Sequence, residues 1–371
     1  MGNISKKNAD KNNAESTDNG KSVEEISDIQ AYQTTLQNCA NLAKKLDNKA
    51  KTLFSKEYLT SLSRLDDGQI VKARDDDMAT RYKKTYAQFN ALKAAIRNPK
   101  GDEMAALKKA GVTVEQIEAR FQQFEQQFEL LEKTKIIKDK VADLSKGTAG
   151  FNIFSKNVAF GTLKFKTKGS SRKPSTEETL NIMAFSGSTS DWNGKWKKIF
   201  GDKTTALKFG DKTYNVHEYD FGDGVGKYYI LGNMDELKRP AVNTDLDRKL
   251  SEGKNKTEIL NDNGTDSERK LLVFSDVISK QVPLDPEFKT SLNIETEMSP
   301  CDRCFNAIKV ATEENITLKT QFGVYFDQPK ERRNNPDADA KSDFIGEQGD
   351  IIRFLNPDNN LDFYFNLFNS K

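Results

Sequence analysis

The chain is short of the residues that most often announce chemistry: one histidine, three cysteines and two tryptophans among 371 residues. So few cysteines exclude a disulfide scaffold and favour a reducing site of action. The sole histidine, His217, adjoins Glu218 and lacks the intervening residue of an H-x-E pair. It reads as a solvated strand residue, able to approach a metal only through space. No apolar run approaches the roughly 18 residues a membrane helix needs, and no charged-then-apolar start marks a cleavable secretory signal. A formal net charge of +2 excludes a strong whole-protein field, so any contact with nucleic acid must come from a local patch. With 31% charged and 36% hydrophobic residues, the composition is that of a soluble chain, long enough for two domains or for one with extensions.

What is present divides into segments. Residues 1–22 are polar and bury almost nothing, which predicts a disordered tail. Met1-Gly2 invites a myristoylation reading, but that pattern wants Ser or Thr where Lys6 stands, so a plain flexible tail is preferred. Residues 23–147 read as helical throughout, broken at Asn98-Pro99-Lys100-Gly101, with Gly111 ending a short helix that Asp102 begins. Ile117, Phe121, Phe124, Phe128 and Leu131 form an a/d-like seam. Its short run favours packing inside a local bundle over an intermolecular coiled coil. Cys39, with no second ligand-type residue near it, reads as a small buried side chain. No catalytic constellation occurs in this part, whose architecture suggests delivery, docking or packaging.

After a small-residue linker at 145–150, residues 151–330 form the second expected domain. Strands are predicted over 158–166, 180–185, 291–297 and 318–326, with a helix over 266–280. The order predicts an α/β fold, a mixed sheet covered by helices, preceded by a separate α-helical N-terminal domain. Residues 188–264 read as an insertion carrying Trp192 and Trp196 among lysines 195, 197, 198, 203 and 208, with a strand-like piece at Lys227–Leu231. Aromatics interleaved with lysines suit single-stranded nucleic acid, by stacking plus phosphate attraction. Equally, the two tryptophans stand four apart, as core residues on a helix would. Phe221 to Lys227 mimics a phosphate loop, but Phe221 replaces its first glycine and Tyr228 its Ser or Thr, so it reads as a glycine turn. Residues 331–371 form a C-terminal extension that regains apolar character near its end and should pack back on the rest.

Two motifs carry chemistry: Asp266-Ser267-Glu268, and Pro300-Cys301-Asp302-Arg303-Cys304 after a strand. Both fall at helix starts. Proline suits a first helical position, and the positive end of a helix favours thiolates. Two thiolates one turn apart can grip zinc, with Asp266 as a carboxylate third ligand and a water in the open position. Glu268, two residues beyond Asp266, is then placed to move protons for that water. The layout is that of zinc deaminases, H-x-E followed by P-C-x-x-C, with aspartate standing for histidine.

At these residues the chain resembles the cytidine-deaminase-like superfamily, and within it the bacterial polymorphic-toxin deaminases. Some of those carry D-x-E and a T-E-x-x-P-C-x-x-C block, here Thr296 to Cys304. Asn157-Val158-Ala159-Phe160 and Ala184-Phe185-Ser186-Gly187 are similar to the N-V-A-type and A-x-S-G-type strands of that branch. The resemblance covers roughly residues 150–330. It implies a zinc-dependent deaminase acting on cytosine in RNA or DNA, with Glu268 catalytic and Asp266, Cys301 and Cys304 holding zinc. It places Ser186 and Gly187 near the substrate, and the insertion adds Trp192 and Trp196. It also implies a toxin or effector with a cognate immunity protein. Such a protein acts in the cytoplasm of the producing or a target cell, delivered by a specialised system. Nothing in the sequence sets the oligomeric state.

Other readings stand beside this one. Thr265 to Glu268 is also a capping box, and a C-x-x-C pair also serves redox chemistry. A non-catalytic zinc-stabilised binding module and a free CMP- or dCMP-type deaminase remain the alternative functions.

Overall fold

The computed structural model describes residues 23–64, 78–109, 111–148, 150–170, 174–187, 192, 195–201, 203–209, 212–222, 224–231, 266–298 and 317–324. The predicted tail 1–22, Cys301, Cys304, the helix expected after them and the extension 331–371 lie outside these residues.

The first part is helical: α1 (Val23–Leu53), α2 (Lys56–Leu62), α3 (Met78–Arg97), α4 (Asp102–Lys109) and α5 (Val114–Leu144). A complete capping box starts α5, with Gln116 N–H donating to Thr113 Oγ1 and Thr113 N–H to Gln116 Oε1. Lysines 45 and 49 of α1 pair with Glu125 and Glu132 of α5, so the two helices run in the same direction. The predicted seam packs inside the chain: Phe121, Phe124 and Phe128 interlock with Phe89 and Phe54. Cys39 is fully buried there, and burial, then Glu118, pushes its thiol up to about 11.

A short 3-10 turn (Ile153–Ser155) leads into the sheet. Its strands are β1 (Val158–Thr167), β2 (Thr176–Phe185), β3 (Thr205–Phe209), β4 (Lys212–Asp220), β5 (Lys227–Leu231), β6 (Ser291–Met298) and β7 (Thr317–Val324). Two helices accompany them, α6 (Trp196–Phe200) and α7 (Ser267–Gln281). Among the described residues the strands form one seven-stranded mixed sheet, in the order β3-β4-β5-β2-β1-β6-β7. β1 is antiparallel to both neighbours, while β2–β5 and β6–β7 are parallel. The segment expected as an insertion thus extends the sheet, because β5 adds to the edge that β2 would otherwise leave unpaired. Between β4 and β5, Phe221 N–H bonds Gly226 O at 3.0 Å, and the predicted glycine turn falls there.

Alternation along each strand sends residues to two faces. Leu163, Ile182, Val216 and Ile294 face one side and receive Leu271, Phe274, Val277 and Ile278 of α7. Phe160, Met183, Phe185 and Ile230 face the other and receive Leu130, Ile137 and Val141 of α5. Helix α5 therefore belongs to both parts: its seam closes the bundle, and its second half covers the sheet. The expected boundary near 145–150 is a boundary in sequence. The cores on its two sides meet at α5, which contributes Leu131 to one and Leu130, Ile137 and Val141 to the other.

His217 is buried on β4, not solvated as expected. It pairs across the ladder with Ile230, which places it on the α5 side of the sheet, opposite α7.

Candidate functional site

The predicted helix over 266–280 is α7, and Asp266 takes its N-cap position with extended backbone angles. The capping-box alternative needed Thr265 there, and Thr265 lies outside the described residues. Asp266 itself makes no side-chain cap hydrogen bond. Glu268 turns inward and is 3% exposed.

Three elements converge on it. Thr296, at the end of β6, donates its hydroxyl to Glu268 Oε1 at 2.7 Å. Asn157, just before β1, reaches Glu268 Oε1, Ser267 Oγ and Thr296 Oγ1 with its Nδ2, each at 3.0 Å, sharing two protons among three acceptors. Ser267 donates to Glu268 Oε2 at 3.1 Å. Asn157 Oδ1 accepts Met298 N–H at 3.1 Å, which ties the end of β6 to the start of β1. Burial raises the proton affinity of Glu268 above that of an ordinary carboxyl, while these hydrogen bonds pull the other way.

The expected substrate-side residues adjoin this cluster. Ser186 Oγ accepts Asn157 N–H at 2.7 Å, and Ser186 N–H returns a bond to Asn157 O at 2.8 Å. Gly187 has a φ of +119°, open to glycine and strained for other residues. Its carbonyl, with that of Phe185, accepts from the buried ammonium of Lys270 at 3.0 and 2.7 Å. Trp192 donates Nε1–H to Ser186 O at 3.1 Å and is 6% exposed, packed against Phe151, Phe185 and Trp196. In this arrangement Trp192 is a core residue that braces the end of β2, and the half-buried Trp196 packs beside it.

Of the expected metal ligands, Asp266 is at the helix start beside this cluster, and Cys301 and Cys304 lie outside the described residues. Among the described residues no group of three or more metal-ligating side chains converges. Of the expected donor set, only Asp266 belongs to the described residues. Asp266 heads α7, and β6 ends at Met298, from which Ser299-Pro300-Cys301 follows directly.

The sequence carried Asn157 and Thr296 inside its motifs but assigned neither a role. Thr296 was legible from alternation, since Leu292, Ile294 and Thr296 must share the face that meets α7. Asn157 had no such signal, because its partners are distant in sequence. Among the described residues no helix is long and apolar enough to cross a membrane. Comparison with family models, with curated proteins and with solved structures finds no match for this chain.

Proposed function

We propose that this chain is a zinc-dependent hydrolytic deaminase that converts cytosine to uracil in nucleic acid, as a toxin or effector. The observation that carries the reading is the buried Glu268 at the start of α7, held by Asn157 and Thr296 where β6 runs out towards Cys301. The strand order supports it: β2-β1-β6-β7, with α7 preceding β6 in the chain and packed on β1, β2 and β6, is a mixed sheet of the kind expected for a cytidine-deaminase-like fold.

Asp266, Cys301 and Cys304 would hold the zinc ion, which lowers the pKa of a water molecule towards neutrality. In hydrolytic deamination, water adds at C4 and the exocyclic amine leaves as ammonia. Glu268 takes a proton from the water and returns protons to the ring nitrogen and the leaving amine. Burial raises its proton affinity above that of an ordinary carboxyl, which strengthens it as the acceptor of the water proton. Thr296 and Asn157 fix which oxygen of the carboxylate is engaged. Lys270, by holding the carbonyls of Phe185 and Gly187, sets the loop after β2 that would border the base.

A second reading draws on the same burial. Every described bond to Glu268 is also what a polar core residue would make, and a zinc-stabilised binding module would need no more. Sequencing nucleic acid from cells that express the protein separates the readings. Cytosine-to-uracil change that disappears in Glu268→Ala, with zinc retained, supports the enzyme. Deamination that persists in Glu268→Ala, or none in the parent chain, refutes it.

A further inference from the structure

We propose that Lys138 on α5 and Tyr82 on α3 are positioning residues for the Glu268 cluster, acting through the carboxylate of Glu297. The inference rests on Glu268 being the working group of the site, and it makes the N-terminal helices part of that site.

All three side chains are 0% exposed. Lys138 Nζ lies 2.7 Å from the Glu297 carboxylate, and Tyr82 Oη donates to it at 2.9 Å. One carboxylate on β6 thus joins α3 and α5. Lys138 makes a second contact, donating to the carbonyl of Phe154 at 3.3 Å. Phe154 lies in the turn that delivers Asn157, and Glu297 follows Thr296. The two residues that donate to Glu268 Oε1 thus come from two chain segments that one buried ammonium holds together.

The pleat makes the coupling direct. Thr296 and Glu297 are consecutive, so their side chains leave opposite faces of β6. Whatever fixes Glu297 on the α5 side fixes the backbone from which Thr296 reaches Glu268 on the α7 side. Met298 continues the link. Its N–H bonds Asn157 Oδ1, and its sulfur meets Arg81 of α3 at 3.4 Å. Stability alone is a weak reason for such an arrangement. Buried ion pairs replaced by apolar residues of similar volume are often neutral or more stable, whereas a pair broken on one side is costly. What a buried pair supplies, and leucines would not, is a single geometry.

The test uses the full chain with the double variant Lys138→Met/Glu297→Met and the near-isosteric Tyr82→Phe. Lys138→Met alone strands a buried carboxylate and should lower the melting temperature sharply, and the double variant should recover most of that loss. The positioning readout is hydrogen exchange of the Asn157 side-chain amide and the Met298 N–H, followed by NMR, together with kcat and KM for deamination of an oligonucleotide. The expected result is loss of protection at both groups and a kcat reduced by about tenfold or more with KM little changed, despite recovered stability. Tyr82→Phe should move both readouts the same way, by less. Unchanged protection in Tyr82→Phe and the double variant overturns the proposal. So does a double variant that recovers both stability and full kcat. Should the double variant fail to fold, Tyr82→Phe decides alone. A parent chain that deaminates nothing, but whose Asn157 protection falls in the variants, defeats the deaminase reading and leaves the positioning role standing.

Discussion

Gly323 on β7 and Leu131 on α5 touch with no room for a side chain between them. A Cβ on Gly323 would stand 2.9 Å from Leu131 Cγ and 3.0 Å from Glu297 O, closer than such atoms normally pack. Helix α5 is thus seated against the sheet backbone at the strand next to β6. Gly323→Ala should destabilise the protein by about 1–3 kcal/mol through overpacking. Leu131→Ala alone should cost about 2–5 kcal/mol by leaving a cavity. Combined, the two should cost clearly less than their sum, since the new methyl enters the vacated space. Urea unfolding of the four proteins measures the coupling, and strict additivity would show that the contact is not tight.

A chain that starts at residue 151 should not fold into a well-packed sheet. Without α5, the face formed by Phe160, Met183, Phe185 and Ile230 loses Leu130, Ile137 and Val141. The charged partners Lys133 of Glu295 and Lys138 of Glu297 go with them. An exposed apolar face with a stranded buried carboxylate predicts aggregation or a loosely packed state that binds hydrophobic dyes. A monomeric fragment with a cooperative melt near that of the full chain would show that the sheet folds without the helices.

Much of the fold could be read from pattern. The seam from Ile117 to Leu131, the stripe of Leu271, Phe274 and Ile278, and the alternation of β6 each follow one period, and each element formed where that period runs. What stayed hidden depends on contacts between distant segments. Lys138 reads in sequence as a polar flank of an amphipathic helix, and only the fold brings it to Glu297. Composition suggested a domain boundary at 145–150, because the switch from helix to strand occurs there. It could not show that α5 faces two cores, since Leu130 and Leu131 are neighbours in sequence yet serve different ones. His217, beside Glu218 and Tyr219, looked solvated because a short alternating strand does not declare which face is covered.

Cys39 should resist thiol reagents in the native protein. Burial and the neighbouring Glu118 hold its thiol up at about 11, so almost no thiolate exists at neutral pH, and no solvent reaches it. Residue-resolved mass spectrometry after alkylation should find Cys39 unmodified until denaturant unfolds the bundle. Labelling of Cys39 at the rate of a free peptide thiol would mean that α1 does not pack as described.

On the proposed function Glu268→Gln abolishes deamination, and it should also stabilise the metal-free protein, most strongly above the raised carboxyl pKa. The folded-state proton affinity of Glu268 is raised, with burial the main cause. Its stability contribution is therefore fully present below the ordinary glutamate pKa and is lost as pH rises through the raised value. Above that window the folded protein carries an ionised carboxylate that burial disfavours. Glutamine keeps an oxygen for Thr296 and Asn157, and its amide can donate to Ser267, whose hydroxyl accepts as readily as it donates. The variant should thus hold the cluster without the charge. Its melting temperature should vary less with pH than that of the parent as pH rises from the ordinary glutamate pKa through the raised one, and should exceed it at the upper end. Parallel pH profiles for the two proteins would mean that Glu268 is not buried in the way its contacts describe.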